Sequence, residues 1–179
     1  MQINFKEKSM TFDAPLSVFD AAAAAELVTR AHIAARVNGK VVGMTQIIDA
    51  DANVELLTFE DADGKHVFRH TASHILAQAV KRLYPATKLT IGPAIDNGFY
   101  YDFDSDVSFT PDVLKALEGE MKKIVKENHK IERFELPRAE AIAFMTERDE
   151  PYKVQLIEEL PEDAVISFYT WKPTPNALN

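Results

Sequence analysis

Two Asn-Gly pairs constrain the fold of this 179-residue chain more than any other local feature. Asn38-Gly39 lies between β-forming residues in the segment 35–42, and Asn97-Gly98 lies between the apolar segments 91–95 and 99–104. An Asn-Gly pair between such segments favours the two-residue turn of a β-hairpin, because both residues tolerate the positive φ angles of that turn. The sequence therefore predicts one hairpin around residue 38 and another over residues 91–104.

The first 60 or so residues combine short extended segments with one helix. Residues 2–6 and 10–12 predict a hairpin, Ser17 is placed to cap an alanine-rich helix that runs to about Thr29, and residues 54–59 predict a last strand. Strands on both sides of one helix in so short a segment are typical of a small ubiquitin-like β-grasp module. The acidic, turn-rich residues 61–64 then predict a boundary between a first domain at 1–62 and a second at 63–179.

The second half of the chain predicts helices interspersed with strands, so the expected fold class is α+β. Pro85 ends the first of these helices, and Thr110-Pro111 marks the start of another, with the threonine as the cap. The segments of interest are the expected helices at 69–84, 110–128 and 154–160, a further helix after Pro137, and the extended segments 131–136 and 164–169.

His70 and His74 are the main candidates for chemistry, as the one place where the sequence brings two imidazoles together. Their spacing puts both on one face of a helix, opposite an apolar stripe that includes Ile75 and Leu76. Two imidazoles so placed can activate and orient a water that attacks an ester, without a metal ion. A solvated, inert pair is the alternative. Zinc at this pair is less favoured, because two ligands are fewer than zinc usually takes from a protein.

Composition excludes several other classes of site. The chain has no cysteine, which excludes disulfides, thiolate metal sites and cysteine nucleophiles. No glycine-rich phosphate loop is visible. A net charge of −8 means that any RNA contact needs a local basic surface, and the best cluster, Lys122 to Arg133, is interrupted by acids and is interpreted as a solvated helix face. No membrane span or signal peptide is predicted, so a cytoplasmic protein is expected.

Several ordered segments resemble bacterial threonyl-tRNA synthetases. They are residues 69–74, 76–85, Ile91-Gly92-Pro93 and 96–104, followed by Pro151-Tyr152-Lys153-Val154, while residues 1–60 resemble the TGS domain that begins those enzymes. The resemblance implies that residues 63–179 are an editing domain of the threonyl/alanyl-tRNA synthetase type. Such a domain hydrolyses the ester of serine attached in error to threonine tRNA.

The resemblance also implies roles for particular residues. His70, His74 and Lys153 match catalytic positions, with one histidine acting on the attacking water and Lys153 placing the substrate end and the water. Tyr101 matches an aromatic wall that binds substrate. Packing against a sheet is the alternative role for Tyr101, and a solvated lysine is the alternative for Lys153.

The same resemblance sets expectations for partners and cofactors. The partners implied are the 3′ end of tRNA(Thr) carrying serine and the rest of the synthetase, which is a homodimer in this family. No cofactor is expected for this chain, since ATP and zinc belong to the catalytic core, which the chain is expected to lack.

The chain departs from the family after its last expected strand. The family pattern continues with an acidic residue, a cysteine and a histidine four positions beyond it, whereas Tyr169 is followed here by Thr170-Trp171-Lys172-Pro173. The expected hydrolysis is therefore impaired. A noncatalytic module that binds tRNA or another partner is the alternative function.

Overall fold

The computed structural model describes residues 1–172, without the side chains of Lys130 and Lys172. Within that range the chain has mixed α and β structure with five helices, in agreement with the expected α+β class. It forms two compact units, one of residues 1–71 with 94–98 and one of residues 72–93 with 99 onward. The domain limits 1–62 and 63–179 stay a prediction, and residues 173–179, at the end of the second, lie outside the described residues.

The first unit is built on a five-stranded mixed sheet. Its strands lie in the order β2-β1-β7-β4-β5, and β1 and β7 are parallel while the other pairs are antiparallel. The elements are β1 (Gln2–Phe5), β2 (Ser9–Thr11), β3 (Leu16–Ser17), α1 (Val18–Ala24), β4 (His32–Val37), β5 (Lys40–Val42), β6 (Ile47–Ile48) and β7 (Ala52–Thr58). β3 and β6 form a separate antiparallel pair. Asn38 and Gly39 have φ angles of 48° and 85°, which confirms the predicted turn between β4 and β5.

Helix α1 packs its alanine face on this sheet and ends earlier than predicted. Ser17 caps it by accepting a hydrogen bond from the Asp20 amide, as expected. The helix ends at Ala24 because Glu26 takes a φ of 63°, and the Leu27 amide donates back to the Ala22 carbonyl. This Schellman ending satisfies the last carbonyls and turns Leu27 onto the core. The core residues are Ile3, Phe5, Val18, Ala21, Ala22, Ala25, Ala35, Ile48, Ala52 and Val54.

Helix α2 (Ala62–Leu83) begins seven residues before the predicted start at residue 69. Residues 62–64, predicted as a turn, are helical. Gly64 permits this start, because a Cβ at that position would lie 1.8 Å from the Thr58 carbonyl oxygen. The Asp61 carboxylate accepts from the Thr58 amide and hydroxyl, and these hydrogen bonds lower the pKa of Asp61. The first turn of α2 is thus packed directly against the end of β7.

The second unit combines helices with short two-stranded sheets. The elements that follow α2 in the chain, of which residues 94–98 belong to the first unit, are β8 (Lys88–Leu89), β9 (Ala94–Ile95), β10 (Gly98–Phe99), β11 (Phe103–Asp104), α3 (Pro111–Glu127), β12 (Lys130–Glu135), α4 (Arg138–Thr146), α5 (Pro151–Glu159) and β13 (Ser167–Lys172). Thr110 caps α3 and Pro111 opens it, as predicted. β12 and β13 are antiparallel, with Phe134 opposite Phe168. β13 begins three residues later than predicted, and α5 begins three residues earlier.

The hairpin predicted over residues 91–104 is present only in pieces. β8 pairs with β11 and β9 with β10, while residues 100–102 lie outside any strand. The Asp102 amide still donates to the Ile91 carbonyl, but Pro93 has no amide hydrogen with which to continue a ladder. The interruption leaves Tyr101 on an irregular segment, where its ring is placed by packing instead of by strand alternation.

Two small apolar clusters hold the second unit. One joins α2 and α3 through Ala79, Val80, Leu117 and Ile124. The other joins α4, α5 and the residue just before β13 through Ala141, Ile157 and Ile166. None of the helices within residues 1–172 has the length and apolar character needed to cross a membrane.

Candidate functional site

Lys153 is a half-buried lysine in the first turns of α5. Its Nζ donates a hydrogen bond of 2.6 Å to the Thr90 carbonyl and lies 6.0 Å from the centre of the Tyr101 ring. Burial lowers the pKa of Lys153, because water no longer surrounds the ammonium fully, and the negative charge of Glu150 partly opposes this effect. The alternative of a solvated lysine is therefore wrong for this position.

Tyr101 is held between a glycine and a second aromatic ring. A Cβ on Gly92 would lie 2.1 Å from Cδ2 of Tyr101, so the ring packs directly on that glycine backbone. On the irregular segment it also stacks on Phe103, with ring centres 4.7 Å apart and planes 6° from parallel. Burial, with the charge of Glu150, raises the pKa of Tyr101 to about 12, so its hydroxyl stays protonated at neutral pH.

Glu150 is a buried carboxylate whose charge acts on both Lys153 and Tyr101. It immediately precedes α5 and is 7% exposed. Its Oε1 lies 2.9 Å from the Nζ of Lys81, and its Oε2 accepts from the Leu89 amide at 3.3 Å. Lys81 also donates to the Pro85 and Thr87 carbonyls. A buried charge with these partners fixes the start of α5, and with it the place of Lys153.

Two further contacts connect α5 and the residues just before it to β8 and β11. The Tyr152 hydroxyl donates to the Asp104 carboxylate at 2.8 Å, and Lys88 forms an ion pair with Asp149 and donates to its carbonyl. The pKa of Asp149 is lowered by this lysine. Lys153 and Tyr101, both predicted from the sequence as site residues, thus lie next to each other among polar and aromatic side chains of the second unit.

His74 belongs to the same unit and is half-buried. Its ring centre lies 6.5 Å from that of Tyr169 on β13, with the planes tilted by 40°. The neighbouring Ser73 and Ala77 are buried as well. This part of α2 therefore buries residues outside the predicted apolar stripe. Tyr169 was not among the predicted site residues, because the sequence marks it only as the end of the extended segment 164–169.

His70 lies one turn earlier on α2, in the first unit. Its ring stacks on that of His66, with centres 6.3 Å apart and planes 4° from parallel. Partial loss of solvent lowers the pKa of His70, and the charge of His66 lowers it further. The expectation that imidazoles converge only at His70 and His74 is therefore wrong, although His66 has the same four-residue spacing in the sequence.

The structure describes a contact for each predicted site residue. Lys153 and Tyr101 contact each other, His74 contacts Tyr169, and His70 contacts His66. Besides Tyr169 and His66, the residues that sequence reasoning missed are Thr90, Gly92 and Glu150. Gly92 could have been found from the Ile91-Gly92-Pro93 run, whereas nothing in the sequence marks Glu150.

An apolar groove of about 410 Å³ lies beside Tyr101 in the second unit. It is lined by Leu76, Tyr101, Asp102, Phe103, Phe109, Leu114 and Leu117. Among residues 1–172 no three His, Asp or Glu side chains are grouped closely enough to hold a metal ion.

Comparison with known proteins identifies close relatives. No family model matches the chain. The chain is 58% identical over 163 residues to a threonine–tRNA ligase of Clostridium kluyveri, a match that covers 90% of this chain and 26% of the relative. It is 64% identical over 137 residues to that of Clostridium acetobutylicum, covering 76% and 22%, and 53% identical over 171 residues to that of Clostridium botulinum, covering 94% and 27%.

The matches extend along most of this chain, through both compact units, but only along part of each relative. The chain spans about a quarter of the length of these ligases. At such identity over more than 130 residues the similarity reflects common descent. The chain is therefore homologous to the threonine–tRNA ligases and corresponds to their N-terminal region.

Proposed function

We propose that this chain is an editing module of a threonyl-tRNA synthetase, with a TGS β-grasp domain at 1–62 and an editing domain at 63–179. Its reaction is hydrolysis of the ester that joins serine to tRNA(Thr). The observation that carries the proposal is the half-buried Lys153 ammonium, held on the Thr90 carbonyl beside the Tyr101 ring, in a chain homologous to threonine–tRNA ligases.

The reaction is needed because binding alone discriminates poorly between serine and threonine. Serine lacks one methyl group of threonine, and a group of that size changes binding by only about 1–3 kcal/mol. An active site that accepts threonine therefore also accepts some serine. A second site that hydrolyses the wrong product supplies the missing discrimination.

The chemistry needs a base, an anchor and a shaped pocket. A neutral imidazole of His70 or His74 takes a proton from water as the water oxygen attacks the ester carbonyl. The ester bond then breaks, and the ribose oxygen leaves with a proton to give free serine and tRNA. Lys153 holds the substrate end by its ammonium, and Tyr101, protonated at neutral pH, forms a wall.

The partner proposed is the 3′ end of tRNA(Thr), together with the rest of a homodimeric synthetase. No cofactor takes part in the proposed hydrolysis. Zinc at His70 and His74 is the less favoured alternative, and metal analysis after dialysis tests it.

The activity proposed for this chain is low. The chain has no cysteine, so it cannot supply the Cys-x-x-x-His pair expected from the resemblance. A deacylation assay on seryl- and threonyl-tRNA(Thr) compares the chain with a version extended by a segment that carries this pair. The extended protein should hydrolyse the seryl ester faster, and His70→Ala should abolish the gain while His32→Ala should keep it. If the extended protein leaves seryl-tRNA intact, the proposed function is wrong.

The missing cysteine also favours a second candidate, a noncatalytic module that binds tRNA or another partner. This function predicts salt-sensitive RNA binding that His70→Ala does not change. Filter binding at two salt concentrations, beside the deacylation assay, separates the two functions.

A further inference from the structure

The two histidines at the start of α2 lie side by side on an exposed surface of the first unit. His66 and His70 are both exposed, their rings are 4° from parallel, and their centres are 6.3 Å apart. They are four residues apart in a continuous helix, which stacks their side chains along one face. The two imidazoles therefore reach the same volume of solvent.

Two imidazoles at this helical spacing are a chelating unit for transition metal ions. The same spacing places two histidines on one zinc ion in helical metal sites. Zinc–nitrogen bonds are about 2.0–2.1 Å long, so two ring nitrogens that turn toward a common point can hold one ion between them. A rigid helix holds both ligands in place before the ion arrives, which reduces the entropy lost on binding.

The charged groups around the pair are engaged elsewhere. Arg69 donates to the Ile95 and Asp96 carbonyls, and Lys65 lies 5.9 Å from the centre of the Phe59 ring. The Asp63 carboxylate pairs with Arg36. Because no third His, Asp or Glu completes a group within residues 1–172, water would fill the remaining positions on an ion.

We propose that His66 and His70 form a two-imidazole site for a divalent transition metal ion such as Zn²⁺ or Ni²⁺. The site lies wholly in the first unit and differs from a zinc site at His70 and His74. Its open coordination makes the ion exchangeable, and imidazole ligands select transition metals over Mg²⁺, which prefers oxygen ligands.

Equilibrium dialysis of the metal-stripped chain with Zn²⁺ tests the site. The unmodified chain should bind one ion, and His66→Gln should weaken binding by more than about tenfold, a scale on which even residues behind the ligands change metal affinity. His74→Gln and His32→Gln are matched controls and should bind as the unmodified chain does. Mg²⁺ should not compete.

A second measurement reports the ligands directly. Ni²⁺ should broaden the imidazole NMR signals of His66 and His70 and leave that of His129 sharp. The proposal is overturned if the unmodified chain binds no Zn²⁺, if His66→Gln binds it equally well, or if His74→Gln loses as much affinity as His66→Gln. Circular dichroism of the variants checks that the helix remains folded.

Discussion

The two units of this chain are held together in different ways. The first has one continuous apolar core of ten buried residues, between a five-stranded sheet and α1. The second has two small clusters, of four and three buried residues. Between its elements run charged contacts, among them Lys81 with Glu150 and Arg82 with Glu120 and Glu127.

The difference shows where chemistry can be placed. A half-buried ammonium such as Lys153 and a buried carboxylate such as Glu150 cost free energy unless they are paired. The second unit contains such buried polar groups, and two of its residues, Lys153 and Tyr101, have shifted pKa values. Shifted pKa values of this kind are common at functional sites. The interior of the first unit is apolar and stabilises the fold, and its candidate metal ligands, His66 and His70, lie on the surface.

The largest effect is expected from truncation of the continuous core. Ile3 is 0% exposed, and Ile3→Ala should destabilise the first unit by about 2–5 kcal/mol through lost apolar contact and a cavity. Ile157, 6% exposed in a three-residue cluster, should lose less on the same change. Native-state hydrogen exchange of amides in each unit measures both. Ile47→Ala, at a residue that is 53% exposed, is the control. Equal losses at Ile3 and Ile157 would contradict the contrast between the cores.

A smaller loss is expected where α2 starts against β7. Gly64→Ala would push a methyl group into the Thr58 carbonyl oxygen and should destabilise the first unit by about 1–3 kcal/mol. Gly119→Ala is the matched control, because nothing lies within 4 Å of a Cβ there and alanine favours the helix α3. Chemical denaturation of the two variants should shift in opposite directions. A neutral Gly64→Ala would show that this contact is not tight.

Removal of the Glu150 charge tests how far this carboxylate stabilises the second unit and shifts the pKa of Tyr101. Glu150→Gln should destabilise that unit by about 1 kcal/mol, since Lys81 keeps two carbonyl acceptors. It should also lower the pKa of Tyr101 from about 12 toward its ordinary value, but only in part, because burial is the larger cause. Ultraviolet titration of tyrosine ionisation measures the shift, with Glu158→Gln on the exposed side of α5 as control. An unchanged titration would remove Glu150 from the surroundings of Tyr101.

The smallest effect is a difference in acid sensitivity. Arg82 lowers the pKa of Glu127, and Lys123 and Arg82 lower that of Glu120. Because the folded values lie below the unfolded ones, these carboxylates stabilise the second unit above about pH 4.3, the ordinary value for glutamate, and the gain is lost as pH falls through the folded pKa. Hydrogen exchange measured between about pH 6 and pH 3 should show it. Arg82→Gln should reduce the acid loss, and Arg30→Gln should not.

Local patterns predicted many elements correctly. The Asn38-Gly39 turn, the Ser17 cap and the Thr110-Pro111 helix start all depend on neighbouring residues, so a sequence window contains the information. The errors fall where distant contacts decide. The start of α2 depends on Gly64 against Thr58, and the segment around Tyr101 depends on Gly92 and Pro93.

For the site residues, too, the sequence predicted what depends on local pattern and missed what depends on distant contacts. The roles of His70, His74, Lys153 and Tyr101 were predicted from a resemblance, and those roles stay a prediction. Their surroundings could not be predicted, because Thr90 and Glu150 reach Lys153 and Lys81 only through folding. His66 was overlooked although its spacing from His70 was visible.

The sequence by itself determined the turns, the caps, the α+β class and the kinship with threonine–tRNA ligases, because each depends on the order of residues along the chain. Only the tertiary structure decided which groups lose water and which partners they meet. Burial and charge pairing act between residues that are far apart in sequence, as between Lys153 and Thr90 or Glu150 and Lys81. Burial and the nearby charge of Glu150 shift the pKa values of Lys153 and Tyr101, and such shifts decide what chemistry the side chains can do.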